Sequence, residues 1–212
     1  FLPGTYTGEI VLTVADANPV TYLEAAHPFR QGIYVDASGF SLSRSVLATI
    51  LGPEPTATGA EDLSINSLGD CFNSIYAAAD YTIRNVQINL SGNGRSDFSG
   101  YGAAIVATGE GTTVVADGVT ILTAGVARAG VVATGGANLI VKNSNIETYN
   151  GEMPEDYAPT IDTSQMRSVP WMLGLSGNVR ATNLLGTGTK ATYINTRIAS
   201  EGWGVLSTDD CT

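Results

Sequence analysis

The sequence holds a single histidine, His27, and only two cysteines, and this scarcity removes several chemistries at once. A Ser-His-Asp triad or a His-based metal site would have to form around one residue that stands directly before Pro28. No zinc-ligand spacing, phosphate-cradling glycine loop or Cys-His pairing is present, so neither a metal nor a cofactor is expected. Positive charge is also scarce: 10 Lys and Arg stand against 20 Asp and Glu, for a formal net charge of -10 and no basic cluster. Nucleic-acid affinity rests on cations that release phosphate counterions, so neither nucleic acid nor an anionic membrane surface is an expected partner. No apolar run approaches the roughly 18 residues needed to cross a bilayer. Phe1 is not an initiator Met, which fits either removal of a leader or a trimmed start.

What is abundant points elsewhere. The 212 residues suffice for one domain, only 14% are charged, and 25 are Gly, alongside many Thr, Asn, Ser, Ala and Val. That composition resembles secreted or cell-surface all-β proteins more than cytosolic α/β enzymes. Internal repetition is the strongest signal. Ile105 to Gly109, Val131 to Gly135, Leu173 to Gly177 and Val205 to Thr208 each read as an apolar strand closing on a hydroxyl residue. A second register runs through Ile83 to Ile88, Val115 to Ile121, Val141 to Ile146 and Tyr193 to Ile198, with Asn or Asp shortly before an Ile. Ile105 and Val131 are 26 residues apart, as are Asp117 and Asn143, a spacing that suits one solenoid coil of two or three strands.

The expected fold is therefore all-β, a right-handed parallel β-helix forming an incomplete portion of a longer one, with handedness following from the fixed hand of parallel crossovers. Stacked coils place like residues over like, so Asn85, Asp117, Asn143 and Asn195 are candidates for a turn ladder. Ile83, Ile88, Ile105, Val115, Ile121, Val131, Val141, Ile146, Leu173, Ile198 and Val205 are the expected inward set. Residues 1 to 70, with a strand-like run from Glu9 to Val14 and five prolines, read as irregular N-terminal coils or a cap, and 71 to 212 as the regular coils. The stretch 148 to 170 interrupts them with charge, three prolines and two tyrosines, as a functional loop on a rigid scaffold would. Coils about 4.8 Å apart put Cys71 and Cys211 about 19 Å from each other, too far for a disulfide, which needs Cα atoms within roughly 7 Å. The rung opened by Gly202 to Thr208 is unfinished at Thr212, so a further polypeptide segment, in the intact chain or as a second chain made by cleavage, is expected to complete it.

The segments GAAIVATG, AGVVATGG, LIVKNSNI and YINTRI are similar to coils of the pectin-lyase-like, right-handed parallel β-helix superfamily, over about residues 65 to 212. The superfamily includes polysaccharide lyases, polygalacturonase-type hydrolases, sugar epimerases, phage tailspikes and bacterial adhesins. The resemblance implies carbohydrate-facing work along an external groove. The Asn-Thr-Asp, Asp-Asp and Gly-His-Gly set of polygalacturonases is absent, as is the arginine site with calcium-binding aspartates of pectate lyases.

Any chemistry must then use carboxylates, Tyr and Arg. A lyase needs a base beside a carbon-bound proton and a cation facing the developing enolate. Tyr157, Asp162, Glu155 and Arg128 are the candidate catalytic residues, although a solvated acidic loop would read the same way. Trp171 and Trp203 precede Leu173 and Val205 by two residues each, and either form an outward stacking platform for sugar rings or join an inward aromatic stack. Tyr101 and Glu201, near the same turn as Arg128, and Arg167, in the 148 to 170 excursion with Tyr157, are further candidates for substrate binding. Three readings follow: an extracytoplasmic enzyme of the lyase, hydrolase or epimerase type on a carbohydrate or other polyhydroxylated ligand; a non-catalytic adhesin or tailspike-like binding module; or one fragment of a two-chain β-helix with a shared site.

Overall fold

Period-two alternation gives segments such as 87–91 and 120–124 one buried face, whereas 105–108 and 131–134 are apolar runs buried on both faces. The computed structural model describes residues 20–22, 25–27, 30–94, 100–152, 180–202, 204–209 and 211. Among them the chain is all-β apart from two short 3-10 turns, Leu42–Arg44 and Leu47–Thr49. A small antiparallel pair, β1 (Val20–Tyr22) and β2 (Ala25–His27), stands by itself. From β3 (Arg30–Asp36) onward strands come in threes: β6 (Gly59–Glu61) and β7 (Ser64–Ser67) complete the first set. Next come β8 (Phe72–Ala77), β9 (Tyr81–Arg84) and β10 (Gln87–Ser91), then β11 (Ile105–Thr108), β12 (Thr113–Asp117) and β13 (Thr120–Ala124). The last sets are β14 (Val131–Thr134), β15 (Asn138–Lys142) and β16 (Asn145–Tyr149), then β17 (Thr182–Leu185), β18 (Lys190–Ile194) and β19 (Arg197–Ser200), before β20 (Thr208–Asp209).

Members of one set go to three different sheets. The seven-stranded sheet has the order β20-β17-β14-β11-β8-β3-β4, with β4 (Gly39–Phe40) as an antiparallel edge. The five-stranded sheet is β18-β15-β12-β9-β6, and the six-stranded sheet is β19-β16-β13-β10-β7-β5, where β5 (Ile50–Leu51) is again antiparallel. All other neighbours in these three sheets pair in parallel.

The register puts like over like. Ile65, Ile88, Ile121, Ile146 and Ile198 stand opposite one another across the six-stranded sheet, and Ile33, Ile75, Ile105 and Val131 across the seven-stranded one. Ala60, Ile83, Ala116, Val141 and Tyr193 form the third column. Inward members of all three columns belong to one apolar cluster. Each fully buried Ile contributes about 1.5–3 kcal/mol, against about 0.5–1.5 for a typical hydrogen bond, so these columns dominate stability.

Several sequence expectations need adjustment. Val115 is only half-buried, because the inward positions of β12 are Val114 and Ala116. The cause is one residue: Gly118, not Asp117, takes the left-handed turn position, so Asp117 stands opposite Lys142 and not Asn143. Val131 pairs with Thr182, so the strand aligned with it is β17 and not the one beginning at Leu173, which lies outside the described residues. Val205 is 42% exposed rather than inward. Parallel pairing begins at Arg30, inside the stretch expected to be irregular; the insertion between β3 and β6, with Pro53 and Pro55, hides the repeat there. The run from Glu9 to Val14 lies outside the described residues, as do positions 153 to 170 of the loop expected at 148 to 170. Neither Cys71 nor Cys211 is in a disulfide.

Two polar columns flank the core beside the five-stranded sheet. Glu61, Arg84, Asp117 and Lys142 stand in register with alternating charge, and Lys142 Nζ lies 3.2 Å from Asp117. One residue on, Asp62, Asn85, Gly118, Asn143 and Asn195 all have positive φ, between 45° and 68°. Side-chain amides extend from this column: Asn85 Nδ2 donates to Asp62 (3.1 Å) and Asn195 Nδ2 to Asn143 (3.0 Å) within it, while Asn143 Nδ2 crosses to Asp117 of the charged column (2.9 Å) because Gly118 has no side chain to accept. Asn suits the position because it tolerates left-handed backbone and supplies the ladder. Asn143→Val is expected to cost about 2–3 kcal/mol and Asn143→Gly about 1 kcal/mol or less, measured by urea unfolding. Equal losses in the two variants would mean that backbone handedness is not what selects Asn there.

Candidate functional site

Of the residues singled out from sequence, Tyr101, Arg128 and Glu201 are described; Tyr157, Asp162, Glu155, Arg167, Trp171 and Trp203 lie outside the described residues. Arg128 is 0% exposed and turned inward onto main chain. Its Nη1 donates to Phe72 O (3.0 Å), its Nη2 to Gly69 O (2.7 Å) and more weakly to Asn93 O (3.4 Å), and its Nε to Gly92 O. Burial pushes the guanidinium down to about 10, still a cation at neutral pH, with Asp70 opposing that shift. Arg128 thus ties together two successive corners that follow the six-stranded sheet. Those corners are close-packed: a Cβ on Gly125 would come within 1.9 Å of Gly92 O. Asn93 reinforces them, accepting from Val126 N (2.8 Å) through its side chain while its own N–H donates to Asp70 (2.6 Å).

Tyr101 lies beside the same corner, its main chain against Gly94, with a half-buried phenol that burial raises above its ordinary range. Glu201 is exposed and accepts a hydrogen bond from Asn150 N at 2.8 Å. It belongs to a group on the outward side of the six-stranded sheet that the sequence reading had not assembled.

That group grows from strand register. Outward positions of β16 are Asn145, Glu147 and Tyr149, and β19 places Arg197 opposite Asn145. Arg197 Nη1 donates to Glu147 Oε1 and to Asn145 Oδ1 (3.1 Å); Asn145 Nδ2 donates to Glu147 Oε1 (3.1 Å), and Tyr149 Oη donates to Glu147 Oε2 (2.9 Å). Bonds from Asn145, Tyr149 and Arg197 hold the Glu147 carboxyl below its usual range, while the bond to Glu147 and its charge raise the Tyr149 phenol. The same face continues over earlier strands. Asn89 Nδ2 donates to Asn66 Oδ1 (2.9 Å), and a hollow of about 380 Å³ is lined by Asn66, Leu68, Asn89, Ser91, Leu122 and Ala124. Leu122 stands in register between Asn89 and Glu147, so hollow and charged group form one strip.

Because the sequence treats each strand separately, only the alignment of β16 with β19 brings Glu147, Tyr149 and Arg197 together. The alternating pattern Asn-x-Glu-x-Tyr was the available signal: three polar residues on one side of a strand whose other side is Ile146 and Thr148. No protein-family profile, curated protein or solved structure matches the chain.

Two outcomes test this assignment of roles. Arg128→Met leaves buried carbonyls without donors and is expected to cost about 3 kcal/mol or more by chemical denaturation; unchanged stability would overturn its structural role. Glu147 has a lowered folded pKa, so its contribution is present above the ordinary value of 4.5 and is lost as pH falls through the lowered one. Stability curves from about pH 5 to pH 2 should fall more steeply for the wild type than for Glu147→Gln. Superimposable curves would mean that the carboxylate has no such partners.

Proposed function

We propose that the three parallel sheets are walls of a right-handed parallel β-helix, and that the outward face of the six-stranded sheet binds a carbohydrate or similar polyhydroxylated ligand outside the cytoplasm, in secreted or surface-displayed form. The fold reading is supported by the rotation of successive strands through three sheets and by their shared core. The functional reading is carried by one observation: a carboxylate, a phenol, a guanidinium and three amides share the outward side of one sheet with an apolar hollow. Hydroxyls both donate and accept, and such a set answers both needs while the hollow receives the apolar face of a ring.

Catalysis on the same substrate class is the second reading, favoured by the convergence of Tyr149 and Arg197 on Glu147, the residue types that lyases, hydrolases and epimerases employ. Binding leads because both titratable groups are displaced away from neutrality: Glu147 stays ionised and Tyr149 stays protonated. A glycan array, followed by product analysis on any polymer retained, separates the two. Tyr149→Ala and Arg197→Gln are expected to weaken retention about tenfold, the equivalent of about 1.4 kcal/mol, with the melting temperature little changed. Release of shortened or unsaturated chains would establish catalysis; full retention by both variants would remove the strip from consideration.

A further inference from the structure

Charge on the strip narrows the class of ligand. Among the described outward residues of the six-stranded sheet there is one cation, Arg197, and it is already held by Glu147 and Asn145. Two carboxylates, Glu147 and Glu201, stand at that end, and the chain as a whole carries a formal charge of -10. Among these described residues a polyanion would find only Arg197 and would have to draw it away from its carboxylate, at a cost in desolvation and repulsion. The other described outward side chains of these strands, among them Ser64, Asn66, Gln87, Asn89, Thr120 and Leu122, are neutral. Amides and hydroxyls of this kind match hydroxyl groups in both donor and acceptor capacity. Leu122, Leu68 and Ala124 give the hollow an apolar floor, suited to the C–H face of a sugar ring and unsuited to a carboxylate or sulfate.

We infer that the ligand is an uncharged polysaccharide, lying across the strands from Asn66 towards Tyr149, and not a polyuronate or other acidic glycan. This rests on the carbohydrate-binding reading above and specifies its substrate class. Affinity electrophoresis of the full chain through gels containing hydroxyethylcellulose, galactomannan or polygalacturonate tests it. The expected result is retardation by at least one of the two uncharged polymers, changing less than about twofold between low and high salt, because no ion pairs are formed. Asn89→Ala and Leu122→Ser, both on the exposed face, should each weaken that retardation several-fold at unchanged melting temperature. Preferential, salt-sensitive retardation by polygalacturonate would overturn the uncharged class and leave the carbohydrate reading standing. Retardation by none of the three overturns both. Binding of an uncharged polymer that neither variant weakens would place the ligand elsewhere and overturn the inference.

Discussion

A strand that lies parallel to its neighbour and in exact register with it must share its inward residue with that neighbour, and nearly every feature of this protein follows from that constraint. Ile65, Ile88, Ile121, Ile146 and Ile198 can pile up only because four successive pairings keep the same offset. A slip of one residue would turn each Ile outward and bring Asn89, Leu122 and Glu147 inward, burying a carboxylate without a partner. Register is therefore enforced from both sides: hydrophobic burial rewards the correct offset, and the outward polar column penalises the wrong one.

The connections carry the same constraint through polar groups. Where the chain leaves the five-stranded sheet, a left-handed residue recurs at Asp62, Asn85, Gly118, Asn143 and Asn195, so each turn has one shape and stacks on the last. Alternation of Glu61, Arg84, Asp117 and Lys142 beside it adds opposite-charge neighbours at each pairing, which a shifted register would lose. The corner after the six-stranded sheet works differently. There Gly92 and Gly125 approach too closely for any side chain, and the buried guanidinium of Arg128 supplies donors to the carbonyls that the sharp bend leaves without strand partners.

The repeat was legible wherever the chain turned without insertions. Ile105 over Val131 could be read directly, as could the columns ending in Ile121 and Ile146. Insertions hid the repeat early in the chain, where pairing from Arg30 went unread, but not between Asn143 and Asn195, which are 52 apart and were still aligned because each stands three residues before an inward Ile. Val115 illustrates a subtler limit, since a Gly standing in for Asn at 118 shifts any alignment made on Asn and Asp by one residue, and period two converts one residue into the opposite face. Arg128 looked in sequence like a cation available to a substrate. Whether an arginine faces solvent or main-chain carbonyls depends on backbone positions 56 to 59 residues away, which local pattern does not contain.

The strip on the six-stranded sheet is where the stacking constraint leaves chemistry free to vary. The inward column of the six-stranded sheet repeats Ile, that of the five-stranded sheet varies only in the size of its apolar residue as far as Val141, and the turn column repeats one backbone shape. The outward column through Asn66, Asn89, Leu122, Glu147 and Ala199 does none of these: it runs from amides through an apolar residue to a carboxylate and a methyl. Folding alone asks of such a column only that it be tolerable in water, and a repeated Thr or Asn would satisfy that at every rung. The departure is concentrated where Tyr149 and Arg197 spend their hydrogen bonds on Glu147 instead of on solvent. An exposed ion pair of this kind contributes at most modestly to stability. Under the proposed binding role the same bonds would hold donors and acceptors in place before a ligand arrives, leaving less side-chain freedom to lose on binding.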